Sequence, residues 1–382
     1  MMMGSILLSG LFPVLSLASD FAYTMESGEV TMIKYIGQGG HVVIPDTFDG
    51  KPVRHIGQGA FAQCTRLVGV TIPKSIASIG SHAFHNCARL ASVTIPDSVT
   101  SIGEQAFSTC TGLTSLTLGS HVASIGASAF QDCVLLTGVD IPAGVTRIEQ
   151  GAFSQCSALV SITVDGASKS FSSVDGVLFD KSRQTLLQYP AGKPGAYAIP
   201  DGVTTIAPSA FHSCNHLAAV TIPDGVTAIG DAAFYGCTRL AGVTIPGSVT
   251  RIGSEAFRWC IALTDLTIPD SVTSIGNHAF RACTLLKTVT IGGGVTSIGE
   301  WAFSQCASLT TLTIPASVTS IGEYAFCNCA RLKTLHFQGA APTRSGSSIF
   351  LDSDLVVVHY LPGAAGWEST FAGRPAEQSA PR

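Results

Sequence analysis

The chain has 382 residues and a formal net charge of −4, with 46% apolar residues and only 12% charged residues. An ordinary soluble protein carries roughly 25% charged residues, so the low charged fraction predicts segments that are buried over much of their length. A weakly acidic chain without runs of like charge excludes a basic nucleic-acid footprint and a polybasic membrane patch.

The first predicted element is a mostly apolar stretch of 13 residues from Ile6 to Ala18. It is too short to span a bilayer and fits the core of a secretory signal that is cleaved after Ala18. No Lys or Arg precedes it, so a misassigned first residue or an apolar strand of a terminal cap is the alternative. No later segment reaches 18 apolar residues, and we therefore expect a secreted or surface protein without a membrane-spanning segment.

A 23-residue repeat follows and fills most of the chain. The pair Ala-Phe recurs eleven times in two blocks, followed by Cys after three residues and by Leu after six. The phenylalanines of these pairs are Phe61, Phe84, Phe107, Phe130 and Phe153, then Phe211, Phe234, Phe257, Phe280, Phe303 and Phe326. Eleven returns of one period predict a solenoid in which each coil covers the apolar edge of its neighbour.

One repeat predicts two short strands and a helical segment. Residues 113–118 alternate apolar and polar side chains, which indicates a strand with one buried face. Residues 99–103 form a second extended piece, whose Gly103 we expect in a conformation that other residues avoid. Residues 104–110 predict one or two helical turns, because Phe107 and Cys110 are three apart and can face inward together. Stacked copies then place the strands in one parallel sheet, with the helical turns on the opposite side.

The period breaks once, at Gly166–Pro200, between the two blocks. Two apolar runs, at residues 177–179 and 185–187, flank the polar segment DKSRQ, and this pattern predicts a β-hairpin. We expect the hairpin to pack on the flank of the stack as a structural irregularity. A ligand-binding protrusion is the alternative.

Cysteine, histidine and glycine show no spacing that is typical of a catalytic or metal site. Eleven of the twelve cysteines occupy one equivalent slot per repeat, where parallel Cβ vectors disfavour disulfides and a buried, reduced thiol is expected. Cys327 lies outside that slot and is predicted to face solvent. The ten histidines are scattered, and the glycine clusters lack the Lys-Ser or Lys-Thr of a phosphate loop. We therefore expect no enzymatic activity, no metal and no cofactor.

The repeat LxxVTIPxxVTxIGxxAFxxC resembles the BspA-like, Treponema-type leucine-rich repeat family from about Ile44 to Phe337. The flanking segments that begin GEVTMIKYIG and FQGAAPTRSG look like caps of that family. The resemblance implies a leucine-rich-repeat solenoid (an α/β repeat that is mostly β) and a secreted or surface protein of the kind implicated in adhesion. The predicted division is a signal peptide at 1–18, an N-terminal cap at 19–45, a first repeat block at 46–165, the hairpin insertion at 166–200, a second repeat block at 201–338, and a C-terminal cap and tail at 339–382.

The outward positions of the longer strands are the best candidates for a binding surface. In each repeat they flank the central apolar residue, and the second of them is Thr in nine of the eleven copies. The face is either a solvated surface of β-branched residues or a platform for a protein or glycan. Ice or crystal-face binding is a third interpretation, disfavoured by curvature and by small first positions. The candidate binding face consists of Ser92, Thr94, Ser115, Thr117, Asp140, Asp265, Thr267, Lys287, Thr290, Thr313, Lys333 and His336.

These observations predict a non-enzymatic repeat protein that binds a protein or glycan partner, in adhesion or another surface interaction. The rival hypothesis is a structural spacer or matrix protein, whose length matters and whose surface binds no specific ligand. A contiguous patch of aromatic or charged residues on the solenoid favours binding, whereas uniform Thr and Ser favour a spacer.

Overall fold

The computed structural model describes residues 16–18 and 20–379, and this part of the chain forms about 14 stacked coils of ~23 residues without a helix. Up to the insertion the strands are β1 (Ser16–Ala18), β2 (Phe21–Glu26), β3 (Glu29–Tyr35), β4 (Gly40–Val43), β5 (Thr47–Phe48), β6 (Lys51–Ile56), β7 (Leu67–Thr71), β8 (Ser78–Ile79), β9 (Ser92–Thr94), β10 (Ser101–Ile102), β11 (Ser115–Thr117), β12 (Ser124–Ile125), β13 (Gly138–Ile141), β14 (Arg147–Ile148) and β15 (Ser161–Val164).

The insertion and the second half contribute β16 (Phe171–Val174), β17 (Val177–Asp180), β18 (Thr185–Gln188), β19 (Gly195–Ala198), β20 (Thr205–Ile206), β21 (Leu217–Thr221), β22 (Ala228–Ile229), β23 (Gly242–Thr244), β24 (Arg251–Ile252), β25 (Asp265–Ile268), β26 (Ser274–Ile275), β27 (Thr288–Ile291), β28 (Ser297–Ile298), β29 (Thr311–Ile314), β30 (Ser320–Ile321), β31 (Thr334–Phe337), β32 (Arg344–Ser345), β33 (Val357–Tyr360), β34 (Thr370–Phe371) and β35 (Arg374–Gln378).

Each regular coil contributes one strand of three to five residues and one strand of two residues. The two-residue strands pair in parallel and in register, with Ser101 beside Ser124 and Ile102 beside Ile125. They extend a nine-stranded sheet that ends at β14 and a ten-stranded sheet from β16 to β32. The longer strands form smaller sheets of two to five strands, such as the pair β9 and β11. The predicted parallel pairing is confirmed, and the two-residue strands supply its continuous ladders.

The helical turns predicted on the side opposite the strands are wrong, because this side consists of successive turns. The amide of Phe107 donates to the carbonyl of Ala129 in the next coil at 2.7 Å, whereas the amide of Ser108 donates to Gln105, three residues back. Gln105 and Thr109 have φ values of 52° and 61°. Left-handed residues four positions apart interrupt a right-handed helix, and the amides they free bind the neighbouring coil.

Gly103 is required for close packing between coils. It lies outside the positive-φ residues, so the expectation of a conformation closed to other residues is wrong. A Cβ at this position would lie 2.5 Å from the amide nitrogen of Ser81 and 2.7 Å from the carbonyl carbon of Gly80. Both are backbone atoms of the preceding coil, so any side chain here would push two coils apart.

The core is a ladder of phenylalanine rings along the solenoid axis. Phe84 and Phe107, for example, are fully buried and stack at a centroid distance of 4.9 Å with an interplanar angle of 6°. The ladder extends beyond the eleven Ala-Phe copies, since Tyr35 stacks on the first ring of the array and Phe350 on the last. Stacked aromatic and aliphatic burial is therefore the main source of cohesion between coils.

The predicted hairpin is present but lies within the stack and not on its flank. Strands β16, β17 and β18 are antiparallel, and β18 then pairs in parallel with β20 of the second block. Leu178 belongs to the apolar core of the first block, whereas Val177 and Phe179 belong to that of the second. The insertion thus joins two cores, and the continuous sheet is interrupted there.

The predicted secretory signal falls largely outside the described residues, which omit 1–15 and 19. Its last three residues form β1, which pairs antiparallel with β2 so that Ala18 lies beside Phe21. Cleavage after Ala18 therefore stays a prediction. It would remove the edge strand of the first sheet.

Candidate functional site

All twelve candidate residues of the strand face are exposed. In β9, Val93 is buried between the exposed Ser92 and Thr94, because successive side chains of a strand point to opposite faces. The other exposed candidates are Ser115, Thr117, Asp140, Asp265, Thr267, Lys287, Thr290, Thr313, Lys333 and His336.

The structure does not bring the twelve candidates into one site. The first five precede the insertion, and the other seven lie between residues 265 and 336 of the second block. Within each block, in-register pairing places like positions side by side, as with Thr94 and Thr117, or Thr313 and His336. The strand face is therefore a pair of rows of mostly small hydroxyl side chains.

A groove of about 1040 Å³ crosses the N-terminal part of this face, over β4, β7, β9 and β11. Among the candidates it brings together Ser92, Thr94 and Thr117. Apolar lining comes from Val68, Val70, Ile72, Ile95 and Leu118. Four exposed polar side chains also line it, and the sequence interpretation missed them: His41, Lys74, Asp97 and His121. Three of the four lie in the turns after strands, where charge varies from one repeat to the next.

The position of His41 in the groove depends on Gly69. A Cβ on Gly69 would lie 2.4 Å from Nδ1 of His41, so the ring occupies the space that a side chain would fill. On its other side, Nε2 of His41 is 3.0 Å from Oγ1 of Thr71. The missing side chain at one outward position thus lets an imidazole lie across the neighbouring strand.

Asp97 gives the groove a fixed negative charge. The amide of Ser120 donates to its carboxylate at 2.7 Å and the hydroxyl of Ser120 at 2.9 Å. These hydrogen bonds hold the pKa of Asp97 below its usual value, and His121 and Lys74 lower it further. The groove therefore presents one carboxylate among basic side chains, above an apolar floor.

The two acidic candidates each accept a hydrogen bond from a threonine hydroxyl group of the next coil. Oγ1 of Thr163 donates to Asp140, which lines a second depression of about 340 Å³ beside the groove. Oγ1 of Thr288 and of Thr264 both donate to Asp265, and these hydrogen bonds lower the pKa of its carboxyl group. Both carboxylates link strands along the face.

A second surface, which is half-buried apart from Trp259 and which the sequence interpretation missed, lies on the turn side of the second block. We call it the turn-face patch, and its residues are Tyr235, Glu255, Arg258, Trp259, His278, Arg281, Trp301 and Tyr324. Trp259 is 48% exposed, although large apolar side chains usually bury more of their surface. The sequence does carry a signal for this patch, in the residues that lie within two positions of each core Phe. In most of the first block these residues are small or polar, whereas in the second block several of them are aromatic or Arg.

Stacking and ion pairing connect the turn-face patch along the solenoid. The guanidinium of Arg258 lies 5.6 Å from the ring centroid of Tyr235 and also pairs with Glu255 at 2.9 Å. Arg281 lies 4.8 Å from the ring centroid of Trp301. Further ring contacts join Tyr235 to Trp259 at 6.5 Å, His278 to Trp301 at 6.1 Å, and Trp301 to Tyr324 at 4.3 Å.

The repeat cysteines act as buried hydrogen-bond donors between coils, with the exception of Cys64, which is half-buried and not fully buried as predicted. All twelve thiols are free, and Sγ of Cys110 donates to the carbonyl of Phe84 at 3.2 Å. Burial raises the pKa of Cys283 to about 12, so its thiol is a poor nucleophile. The prediction that Cys327 faces solvent is wrong, since it is 1% exposed. In residues 20–379 no group of three His, Cys, Asp or Glu side chains could hold a metal.

The sequence matches a family model described as the BspA type leucine-rich repeat region, in six copies over residues 43–184, 196–268 and 250–363. It is 31% identical to a leucine-rich cell surface protein from Faecalibacterium prausnitzii, whose structure aligns over 86% of this chain and 96% of that one with a TM-score of 0.55. A leucine-rich repeat protein from Bacteroides ovatus is 26% identical, over 96% of this chain and 100% of that one, with a TM-score of 0.52.

The pneumococcal vaccine antigen PcpA is similar in fold, with 22% identity over 92% of this chain and 94% of that one and a TM-score of 0.68. No curated protein matches the sequence. Within the described part of the chain, no helix is long and apolar enough to cross a membrane.

Proposed function

Because the chain belongs to the BspA-type leucine-rich repeat family, we propose that it is a secreted or cell-surface protein that binds a protein or glycan partner in adhesion. The cell-surface assignment of the Faecalibacterium prausnitzii relative supports this location. The predicted signal peptide would export the chain. The binding role rests on the strand face, and within it on the groove.

The groove is the observation that carries the binding proposal. It has the volume and apolar lining that are typical of ligand sites, and a few polar groups that can orient a partner. Ser92 and Thr94 supply hydroxyl groups, His121 supplies an imidazole, and Lys74 and Asp97 supply charges of both signs within one concave surface. Beyond this groove and its neighbouring depression, most outward strand positions are Thr or Ser. Such a uniform surface is what the spacer hypothesis predicts, so the groove is the part of the face that favours binding.

We also propose that the protein is not an enzyme. Asp97 is the carboxylate nearest to the polar groups of the groove, and its lowered pKa makes it a weak general base near neutral pH. The buried thiols are likewise poor nucleophiles. The chemistry that the groove favours is recognition by hydrogen bonds, apolar contact and charge.

The test is binding of the intact chain to a panel of purified extracellular-matrix proteins and glycans. T94R places a long cationic side chain in the groove and should weaken binding of a groove ligand by about tenfold or more. The matched control is T244R, at the equivalent exposed position of β23 in the second block and outside the twelve candidates. Equal binding by T94R and the wild type would contradict the groove site, and the spacer hypothesis requires that no member of the panel binds.

A further inference from the structure

A cavity of about 170 Å³ lies between the two repeat blocks, where the insertion interrupts the stack. Its apolar lining comes from Ile148 and Phe153 of the first block, Leu178 and Leu187 of the insertion, and Ala207 of the second block. It shares no lining residue with the groove on the strand face. We call it the junction cavity.

The sequence departs from the repeat at two positions of the junction cavity. Nine of the eleven Ala-Phe repeats have Gly four residues before the core Phe, where a Cβ would meet the backbone of the preceding coil, as at Gly103. The two exceptions are Glu149 and Ala207, in the coils on either side of the insertion, and both line the cavity. The coils here do not need the close backbone approach of the regular repeat, and the cavity lies in the space between them.

Both internal ladders of the solenoid are interrupted at the junction cavity. Ile148 is half-buried, whereas Ile125 and Ile206, at the same position of the flanking coils, are fully buried. Phe153 ends the first run of stacked rings and Tyr189 begins the second, and no ring contact within residues 20–379 joins the two runs. An apolar molecule in the cavity would therefore gain contacts that regular coils obtain from one another.

One buried polar side chain, Gln188, also lines the junction cavity. It is 4% exposed, and its amide nitrogen donates to the carbonyl of Tyr189 at 3.2 Å and to that of Ala210 at 3.4 Å. These bonds use the donor end of the amide, so its oxygen is the end that remains for a ligand. A ligand with one hydrogen-bond donor fits this arrangement.

The rim of the junction cavity consists of its exposed lining residues, Gln150 and Pro208. The amide of Gln150 donates to the hydroxyl of Ser209 at 3.1 Å and so crosses from the first block to the second. The other acidic or basic group at the rim, Glu149, is paired with Arg147 at 3.0 Å. A neutral ligand is therefore favoured, because a charge placed in an apolar cavity loses its hydration without gaining a partner.

We propose that the junction cavity binds a neutral molecule with one aromatic ring and one hydroxyl group, of the phenol class. An apolar protein cavity of about 150 Å³ is large enough to bind benzene, so the volume suits a single ring. Phe153 supplies an aromatic contact to the ring. The ligand hydroxyl donates to the amide oxygen of Gln188, which fixes its orientation.

Titration of the intact chain with phenol and with benzene, followed by ligand-detected NMR, tests the proposal. The wild type should bind phenol with a Kd of about 1 mM or tighter, and benzene about fivefold or more weakly, because benzene has no donor for Gln188. Q188M removes the acceptor at similar volume. It should weaken phenol binding by about fivefold or more and leave benzene binding unchanged.

The variant A207L fills the junction cavity and should abolish binding of both molecules. The control is A241L, at an exposed alanine of the second block, which should bind phenol as the wild type does. If A207L does not fold, Q188M still decides, since its benzene binding reports an intact cavity.

Three results would overturn the proposal. They are a wild type that binds no phenol at about 10 mM, a folded A207L that binds phenol as the wild type does, and a Q188M variant with unchanged preference for phenol over benzene. Because the junction cavity and the groove have no residue in common, phenol binding and the proposed groove binding succeed or fail separately.

Discussion

Phe280 lies between two other phenylalanine rings, at centroid distances of 5.4 Å from Phe257 and 5.3 Å from Phe303. It is fully buried, and the same contacts recur at each step of the ladder. Cys283 follows on the next inward position and donates its thiol to the carbonyl of Phe257 at 3.2 Å. At the scale of the residue, cohesion between coils comes from one ring and one thiol per turn.

Replacing Phe280 by Ala should leave a cavity in the ladder and lower the free energy of unfolding by about 3 to 5 kcal/mol. Chemical denaturation of the wild type and F280A measures this difference. L285A, at a position in the same coil that is 49% exposed, is the control and should change stability by less than about 0.5 kcal/mol. An F280A variant as stable as the wild type would contradict the stacked core.

At the scale of the element, hydrogen bonds between coils decide how the turns are held. Glu323 binds the turn of the following coil, which lies between β32 and Phe350. The amides of Ser347 and Ser348 donate to its carboxylate at 3.0 and 2.9 Å. The Ser348 amide, followed by the Ser347 amide, holds the pKa of Glu323 below its usual value. The ionised form therefore stabilises the last coil.

The variant E323Q should reduce the thermal stability of the C-terminal coil at neutral pH. A carboxyl group with a lowered folded-state pKa contributes stability above its unfolded pKa of about 4.3, and this is lost as the pH falls through the lowered value. The difference in Tm between the wild type and E323Q should therefore be present at pH 7 and shrink under acidic conditions. E300Q, at the equivalent position one coil earlier, is the control. A Tm difference that grows on acidification would contradict this assignment.

At the scale of the whole molecule, the solenoid has two apolar cores that meet at the insertion. The first core extends from Phe21 to Leu178 and the second from Val177 to Ala376. Each coil contacts chiefly its neighbours, so stability is close to a sum of coil and interface contributions. A local defect should therefore spread over adjacent coils and weaken with distance.

Hydrogen exchange of F280A should show this limited spread. Amides of the coils around Phe257 and Phe303 should exchange faster than in the wild type, because their shared interface opens at lower free energy. The first block, from Phe61 to Phe153, should keep its protection and serves as the internal reference. Uniformly faster exchange over both blocks would show that the chain unfolds as one cooperative unit.

The sequence by itself determined the features that depend on the alternation of apolar and polar residues within a strand and on the 23-residue period. Phe107, Cys110 and Leu113 are fully buried as predicted, because their spacing is set within one coil. Ser92 and Thr94 face outward on either side of Val93 for the same reason. The division of the chain into caps, blocks and insertion is also a prediction from the period. It stays our proposal for the domain organisation.

Only the tertiary structure decided the features that need atoms from several coils. Residues 104–110 form turns because the amide of Phe107 binds the next coil, a partner that local spacing does not reveal. The groove combines His41, Lys74 and Asp97 from three successive coils, and Gly69 matters only because His41 lies over it. The turn-face patch likewise forms when the coil stacking brings Tyr235 and Trp301 onto one surface. One coil specifies its own core, whereas a binding surface exists only once the coils are stacked.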